Sequence, residues 1–280
     1  MWKTSFTLDA VKWCSDQHIN VVVVNFDGEI EQVLTCDDNA NAKLRRAQYL
    51  TDKAIAYQIV RAKIIEQYSL LMSRSIGEKP TQERAIEIFE DSLKWLALPD
   101  LPRWKDTAYI MTFEGRLADA YWTTFEAVTL KWDKSALRVI PPHWRAIGKR
   151  SSDLSKGHGA RKATNPYHAL TNYAYAMLES KVRIALVKQG FDLSCSFLHS
   201  DKQGRDSLVF DLIELYRSKI DVLVLSFIEK NTFKRGDFLP VNDGSVRLSQ
   251  GLAKYIALSC TLSQSDIDEG AKWLKGLIME

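Results

Sequence analysis

The sequence predicts a predominantly helical α+β protein, with a small N-terminal β lobe followed by a multi-helix domain. Three observations lead there. Apolar residues recur at helical spacing from residue 39 onward, the strand signals cluster before residue 36, and proline or glycine stands where helices should stop. A chain of 280 residues, 46% hydrophobic and 26% charged, can bury a substantial core. On this reading residues 1–38 form the β lobe and residues 39–280 the helical domain.

Leu8, Val11, Trp13 and Cys14 give residues 7–17 the pattern of a short amphipathic helix. Residues 19–26 and 29–34 then read as a hairpin around Asp27-Gly28, a strong turn signal between two strand-like runs and the one firm β element of the chain. Leu44, Ala47, Leu50, Ala54, Ile55, Ile59, Ala62, Ile65 and Leu71 predict a single long helix. Pro80-Thr81 opens a second helix, which runs to Leu96 and stops before Pro99 and Pro102. A third covers residues 107–132 and is closed by Pro141-Pro142. After a loop over residues 151–164, Pro166 starts a helix that Gly190 ends. One helix from 206 to 230 and two shorter ones complete the chain, the last with a capping-box pattern at Ser265-Asp266-Ile267-Asp268.

Composition excludes several classes. The apolar runs near Val21 and Val222 are too short to span a bilayer, and nothing after Met1 resembles a leader, so no membrane is expected and a cytoplasmic location is. Cys14, Cys36, Cys195 and Cys260 are scattered, which argues against a zinc ribbon or a disulfide framework. No G-x-G-x-x-G, P-loop, G-x-S-x-G or H-E-x-x-H pattern occurs, which disfavours nucleotide cofactors and acyl chemistry. The net charge of +3 is mild, but residues 131–162 carry nine basic side chains against Asp133 and Asp153, a local +7. Such a stretch suits a polyanion, although a solvated loop has the same composition.

Candidate chemistry rests on few residues. Asp211 and Glu214 are three apart, so a helix projects both from one face, continued by Ser218 and Asp221. A solvated polar face is the plainer reading of that pattern. Glu114 shares a stripe with Leu117, Ala118, Tyr121, Trp122 and Phe125, which should face the core. A carboxylate there needs Arg116, another cation or a metal ion to offset its burial. His199 closes the apolar run Phe197-Leu198 and fits either a hydrogen-bonded structural role or a ligand.

These residues together resemble a known family, the CRISPR-associated spacer-acquisition integrase (the first-numbered Cas protein). Thr7-Leu8-Asp9-Ala10-Val11-Lys12-Trp13 with Asp27-Gly28 is similar to the family's junction between β lobe and helical domain. Leu44-Arg45-Arg46-Ala47-Gln48-Tyr49 and residues 59–64 resemble its first long helix. Glu114-Gly115-Arg116 before Ala120-Tyr121-Trp122 resembles the motif of the first metal ligand. Ala163-Thr164-Asn165-Pro166 with Leu170-Thr171-Asn172-Tyr173 resembles the Asn-Tyr helix. Phe197-Leu198-His199 and residues 205–214 resemble the second and third ligand motifs, and Gly236-Asp237-Phe238 with Arg247-Leu248 the closing segment. Gly190-Phe191-Asp192-Leu193 lacks the family's proline after the aspartate, and the β lobe looks like a remnant of a fuller sandwich.

The resemblance implies Glu114, His199 and Glu214 as ligands of Mg²⁺ or Mn²⁺, with Asp211 supporting, first as an outer partner that orients His199. It implies metal-dependent transesterification of a duplex 3′-end into target DNA, as in CRISPR spacer acquisition, with nuclease activity when water attacks instead. Double-stranded or branched DNA would be held by Lys149, Arg150, Lys156, Arg161, Lys162, Lys202 and Arg205, with Tyr173 and Tyr175 stacking or steering. The implied assembly is a homodimer, bridged by the second-numbered Cas protein. Two other readings are an integrase of a mobile element outside CRISPR and a non-catalytic DNA-binding scaffold.

Overall fold

Side-chain caps and local breaks set where each helix of this protein begins and ends. The computed structural model describes residues 7–24, 30–35, 40–51, 54–98, 102–149, 163–199 and 204–279. Among them are ten α-helices and two separate two-stranded antiparallel sheets. No helix of the described residues is long and apolar enough to cross a membrane.

Thr7 caps α1 (Leu8–Asp16) by accepting the Ala10 N–H, and α1 buries none of its residues. β1 (Val21–Val24) pairs antiparallel with β2 (Ile30–Leu34), with a register shift at Val23/Val24. The Asp27-Gly28 turn lies outside the described residues.

The single helix expected beyond residue 39 is two. Asn41 caps α2 (Ala42–Leu50), Thr51 is extended at φ −68° and ψ 131°, and α3 (Ile55–Ser73) starts afresh. Helical periodicity carried across the junction because both helices bury apolar residues, Leu44 in α2 and Ile55, Ile59 and Ile64 in α3. The Gln48 amide donates to the carbonyls of Asp192 and Cys195, both at 2.8 Å, and its oxygen accepts the Asp192 N–H. That fastens α2 to the loop leading to His199.

α4 (Lys79–Leu96) carries its proline in the first turn, where no N–H is needed. The buried amide of Gln82 accepts from Ile76 N–H and donates to the carbonyls of Leu71 and Arg74, closing the α3–α4 turn. Asp106 caps α5 (Thr107–Phe125). α5 ends seven residues short of the expected limit because Thr129 and Trp132 form isolated bridges with Ala146 and Phe233. Trp132, Trp144, Phe233 and Phe238 close this side in an aromatic knot with centroids 5.3–6.2 Å apart.

α6 (Pro166–Gln189) is the axis of the domain, starting at the Asn165 cap and ending at Gly190 with φ 88°, a left-handed position that suits glycine. It packs against α7 (Ser207–Ile213), α8 (Arg217–Lys230), α9 (Gln250–Ser259) and α10 (Gln264–Met279). The helix expected over residues 206–230 is broken between α7 and α8. There Glu214, Leu215 and Tyr216 donate to carbonyls three residues back, the tightened geometry of a 3₁₀ turn. A second hairpin, β3 (Phe238–Pro240) with β4 (Val246–Leu248), escaped the sequence reading although Asp243-Gly244 carries the same turn signal as Asp27-Gly28. α10 is capped by Ser263, whose hydroxyl accepts the Asp266 N–H, two residues before the predicted box.

Candidate active site

Four helices meet where the expected ligands lie, and buried ion pairs hold them together. Lys63, on the core face of α3, places its ammonium 2.5 Å from Glu114 Oε1 of α5 and 2.6 Å from Glu214 Oε2 at the end of α7. Arg217, in the first turn of α8, donates from Nε to Glu214 Oε1 at 2.8 Å. Glu114 is therefore neutralised by Lys63, while Arg116 is exposed. The α7–α8 break gives this pairing its geometry: Glu214 caps one helix and Arg217 opens the next.

The polar face Asp211, Glu214, Ser218, Asp221 is not solvated; all four are buried, Asp211 completely. Asp211 Oδ2 accepts from the backbone N–H of Phe197 (2.6 Å) and Leu198 (3.0 Å). Its Oδ1 contacts His199 twice, at the backbone N–H (3.1 Å) and at ring Nδ1 (2.7 Å). A carboxylate so engaged accepts a hydrogen bond from Nδ1–H and favours the tautomer with its lone pair on Nε2, the arrangement in which a carboxylate orients a ligating histidine. Asp221 accepts from the Tyr121 hydroxyl (2.8 Å) and the Tyr175 hydroxyl (2.6 Å), and the Arg217 guanidinium lies 4.9 Å over the Tyr175 ring. One continuous polar network thus runs from Glu114 through Lys63, Glu214, Arg217 and Tyr175 to Asp221 and Tyr121.

The electrostatics follow from burial and pairing. Burial alone would raise the Glu214 carboxyl, but Arg217, Lys63 and a smaller contribution from His199 hold it down to about 2. Burial would lower the Lys63 ammonium, and Glu214 with Glu114 outweighs it in the other direction. Burial, then Asp221, pushes Tyr121 and Tyr175 well above the usual phenol range.

A pH prediction follows for the metal-free protein. A carboxylate depressed from 4.5 to about 2 contributes stability that is complete above 4.5 and lost as pH falls toward 2. Wild type should exceed Glu214→Gln in unfolding free energy by an increment that shrinks on the order of 3 kcal/mol between pH 6 and pH 2. Urea unfolding across that range, with chelator present, measures it. A difference that does not change with pH would remove the ion pairs from the account.

The structure brings the expected ligands together in pairs: Glu114 and Glu214 on one ammonium, His199 on Asp211. Among the described residues no three histidine, cysteine, aspartate or glutamate side chains form a ready-made metal site. The donor types nonetheless fit a divalent ion. Glu214 Oε2 is buried with no hydrogen bond of good geometry, held by charge alone, and His199 keeps Nε2 for a ligand.

Of the DNA-binding candidates, Arg205 lies 4.4 Å over the Phe210 ring, which also meets the His199 ring in a T-shaped pair. The buried Nε of Arg205 has no hydrogen-bond acceptor. Lys149 is exposed, whereas Arg150, Lys156, Arg161, Lys162 and Lys202 lie outside the described residues. Tyr175 is buried on Asp221 and offers no face to a base, because the core needs its hydroxyl as a donor. Tyr173 is half-buried against the same core. Sequence reading missed Lys63 and Arg217. The signals were a lone lysine between Ile59 and Gln67 on an apolar helix, and a basic residue three positions after Glu214.

A family model described as CRISPR associated protein Cas1 matches residues 1–259. The chain belongs to the Cas1 family. It is 28% identical over 251 residues to CRISPR-associated protein Cas1 3 of Methanobrevibacter ruminantium, covering 84% of this chain and 68% of that protein. The same identity holds over 249 residues with CRISPR-associated endonuclease Cas1 1 of Archaeoglobus fulgidus, again 84% and 68%. Among solved structures, a Cas1 protein from Thermotoga maritima matches with TM-score 0.70 at 17% identity, over 98% of this chain and 83% of that one. A casposase bound to integration product matches with TM-score 0.61 at 22% identity, over 96% and 79%. These likenesses bear out the expected family and its mostly helical fold with a small N-terminal β element.

Proposed function

We propose that this Cas1-family chain is a metal-dependent DNA endonuclease and integrase that joins the 3′-end of a short duplex to target DNA. The observation that carries the reading is the pairing of Glu114 with Glu214 on one cation, beside a histidine whose ring is fixed by Asp211. Glu114, His199 and Glu214 would hold Mg²⁺ or Mn²⁺. When bound, such an ion supplies charge stabilisation at a phosphodiester under attack.

The chain's own residues do the remainder. Asp211 holds His199 through two contacts, at its backbone N–H and at ring Nδ1, and the preceding Phe197 and Leu198 through one each, which fixes the imidazole in place. Arg217 fixes the Glu214 carboxylate from the side opposite Lys63. Arg205, stacked on the Phe210 ring that also meets the His199 ring, would offer its guanidinium to a backbone phosphate. Lys149 with the basic residues at 150, 156, 161, 162 and 202 would add charge along the duplex, and affinity should fall steeply with salt.

Support for DNA and for a partner comes from the relatives. Curated relatives are named endonucleases, one structural neighbour is a casposase on integration product, and another is a partial Cas6-RT-Cas1–Cas2 complex at TM-score 0.68. A homodimer bridged by Cas2, acting in the cytoplasm, is the assembly we propose. The casposase likeness keeps a second reading, integration on behalf of a mobile element, which differs in biology and shares the chemistry.

The decisive measurement is strand transfer of a labelled duplex carrying a free 3′-hydroxyl into supercoiled plasmid. Joined product should require added Mn²⁺ or Mg²⁺ and vanish with chelator. Joining at full rate in chelator would dismiss the metal, and no joining or nicking with either ion would dismiss the enzyme.

A further inference from the structure

We propose that Lys63 is a tethered cation occupying the position a divalent ion takes, so that the ion enters only by displacing its ammonium from Glu114 and Glu214. This rests on the reading that those two carboxylates and His199 bind the metal.

Three observations carry it. The Lys63 ammonium lies 2.5 Å and 2.6 Å from one oxygen of each carboxylate, on helices far apart in sequence, so it fills the gap between them. A metal ion bonded to the same two oxygens needs that same volume. Second, the contact with Glu214 is poorly directed: Oε2 has no surface and no well-formed hydrogen bond, whereas Oε1 is properly met by Arg217. The oxygen facing Lys63 thus accepts no directed hydrogen bond, whereas the oxygen facing Arg217 accepts one. Third, the formal charges of Glu114, Glu214, Lys63 and Arg217 already sum to zero. A dication added to those four groups would bring them to +2, which departure of the ammonium lowers to +1 and the Asp221 carboxylate near Arg217 brings to zero.

The alternative is that Lys63 clamps the two carboxylates into a binding geometry, in which case removing it weakens the site. The two roles predict opposite signs. Free Mn²⁺ is counted by its electron paramagnetic resonance signal during titration of DNA-free protein, comparing wild type with Lys63→Met and Lys63→Gln. Near-ultraviolet circular dichroism checks that each variant keeps its tertiary structure, and Gln, which can still bridge the carboxylates by hydrogen bonds, serves if Met does not fold. Displacement predicts Mn²⁺ affinity at least about tenfold higher in the variants than in wild type. It also predicts a larger rise in melting temperature on adding Mn²⁺. Equal or weaker binding in the folded variants overturns displacement while leaving the metal site standing. If neither wild type nor variants bind Mn²⁺, or if Glu114→Gln does not reduce binding, the metal reading falls and displacement with it.

Discussion

Glu114→Ala and His199→Ala are each expected to lower strand transfer by at least about a thousandfold, the scale for removing a ligand whose ion stabilises the transition state. Both proteins should remain folded. Without Glu114, Lys63 still bonds Glu214 at 2.6 Å, and no backbone hydrogen bond is lost. Without the His199 imidazole, Asp211 Oδ1 retains the backbone N–H of the same residue at 3.1 Å. Unfolding free energies within about 2 kcal/mol of wild type are therefore expected. Gel-resolved joining rates with matched denaturant melts separate the two effects. Wild-type joining by both variants would show that the site lies elsewhere.

The second large effect is on stability. Asp211→Asn should destabilise the fold by about 3–5 kcal/mol, nearly as much as Asp211→Ala. The reason is that both carboxylate oxygens are saturated with donors. Oδ2 takes two backbone N–H groups and Oδ1 takes one together with the imidazole. If Oδ2 becomes the amide NH₂ it faces two backbone donors with a donor, and if Oδ1 does it faces the His199 N–H while the imidazole must switch tautomer to accept at Nδ1, in both cases at a fully buried position. Urea melts give the magnitude, and a loss under about 1 kcal/mol for Asn would mean the loop over residues 197–199 rearranges freely. Joining activity should fall as well, since the histidine ring loses the acceptor that sets its tautomer.

Why some features were legible in the sequence and others were not has a physical pattern. Caps and stops act over three or four residues, so the start of α6 at Pro166 and its end at Gly190 could be read directly. The α2–α3 and α7–α8 breaks could not. In each, a helical period continues across the gap, and tertiary demands end the helix: the extended Thr51 in one, the placement of Glu214 beside Lys63 in the other. The site divides the same way. Glu114 was conspicuous as a charge on an apolar stripe, but the identity of its counter-ion depended on α3 lying across α5. The face carrying Asp211 and Asp221 looked ordinary because spacing alone does not say which side of a helix meets solvent. Its burial is explained only by partners 12 to 100 residues away, His199 for one carboxylate and Tyr121 for the other.

The three hydrogen bonds of the Gln48 side chain, two donated and one accepted, carry a practical consequence for anyone shortening this protein. They brace the stretch over residues 192–195, four positions before the histidine, from a helix that contributes no reactive group of its own. A fragment starting at Ile55 would keep every proposed ligand and lose the strut beneath one of them. The smallest active piece must therefore begin upstream of Ala42.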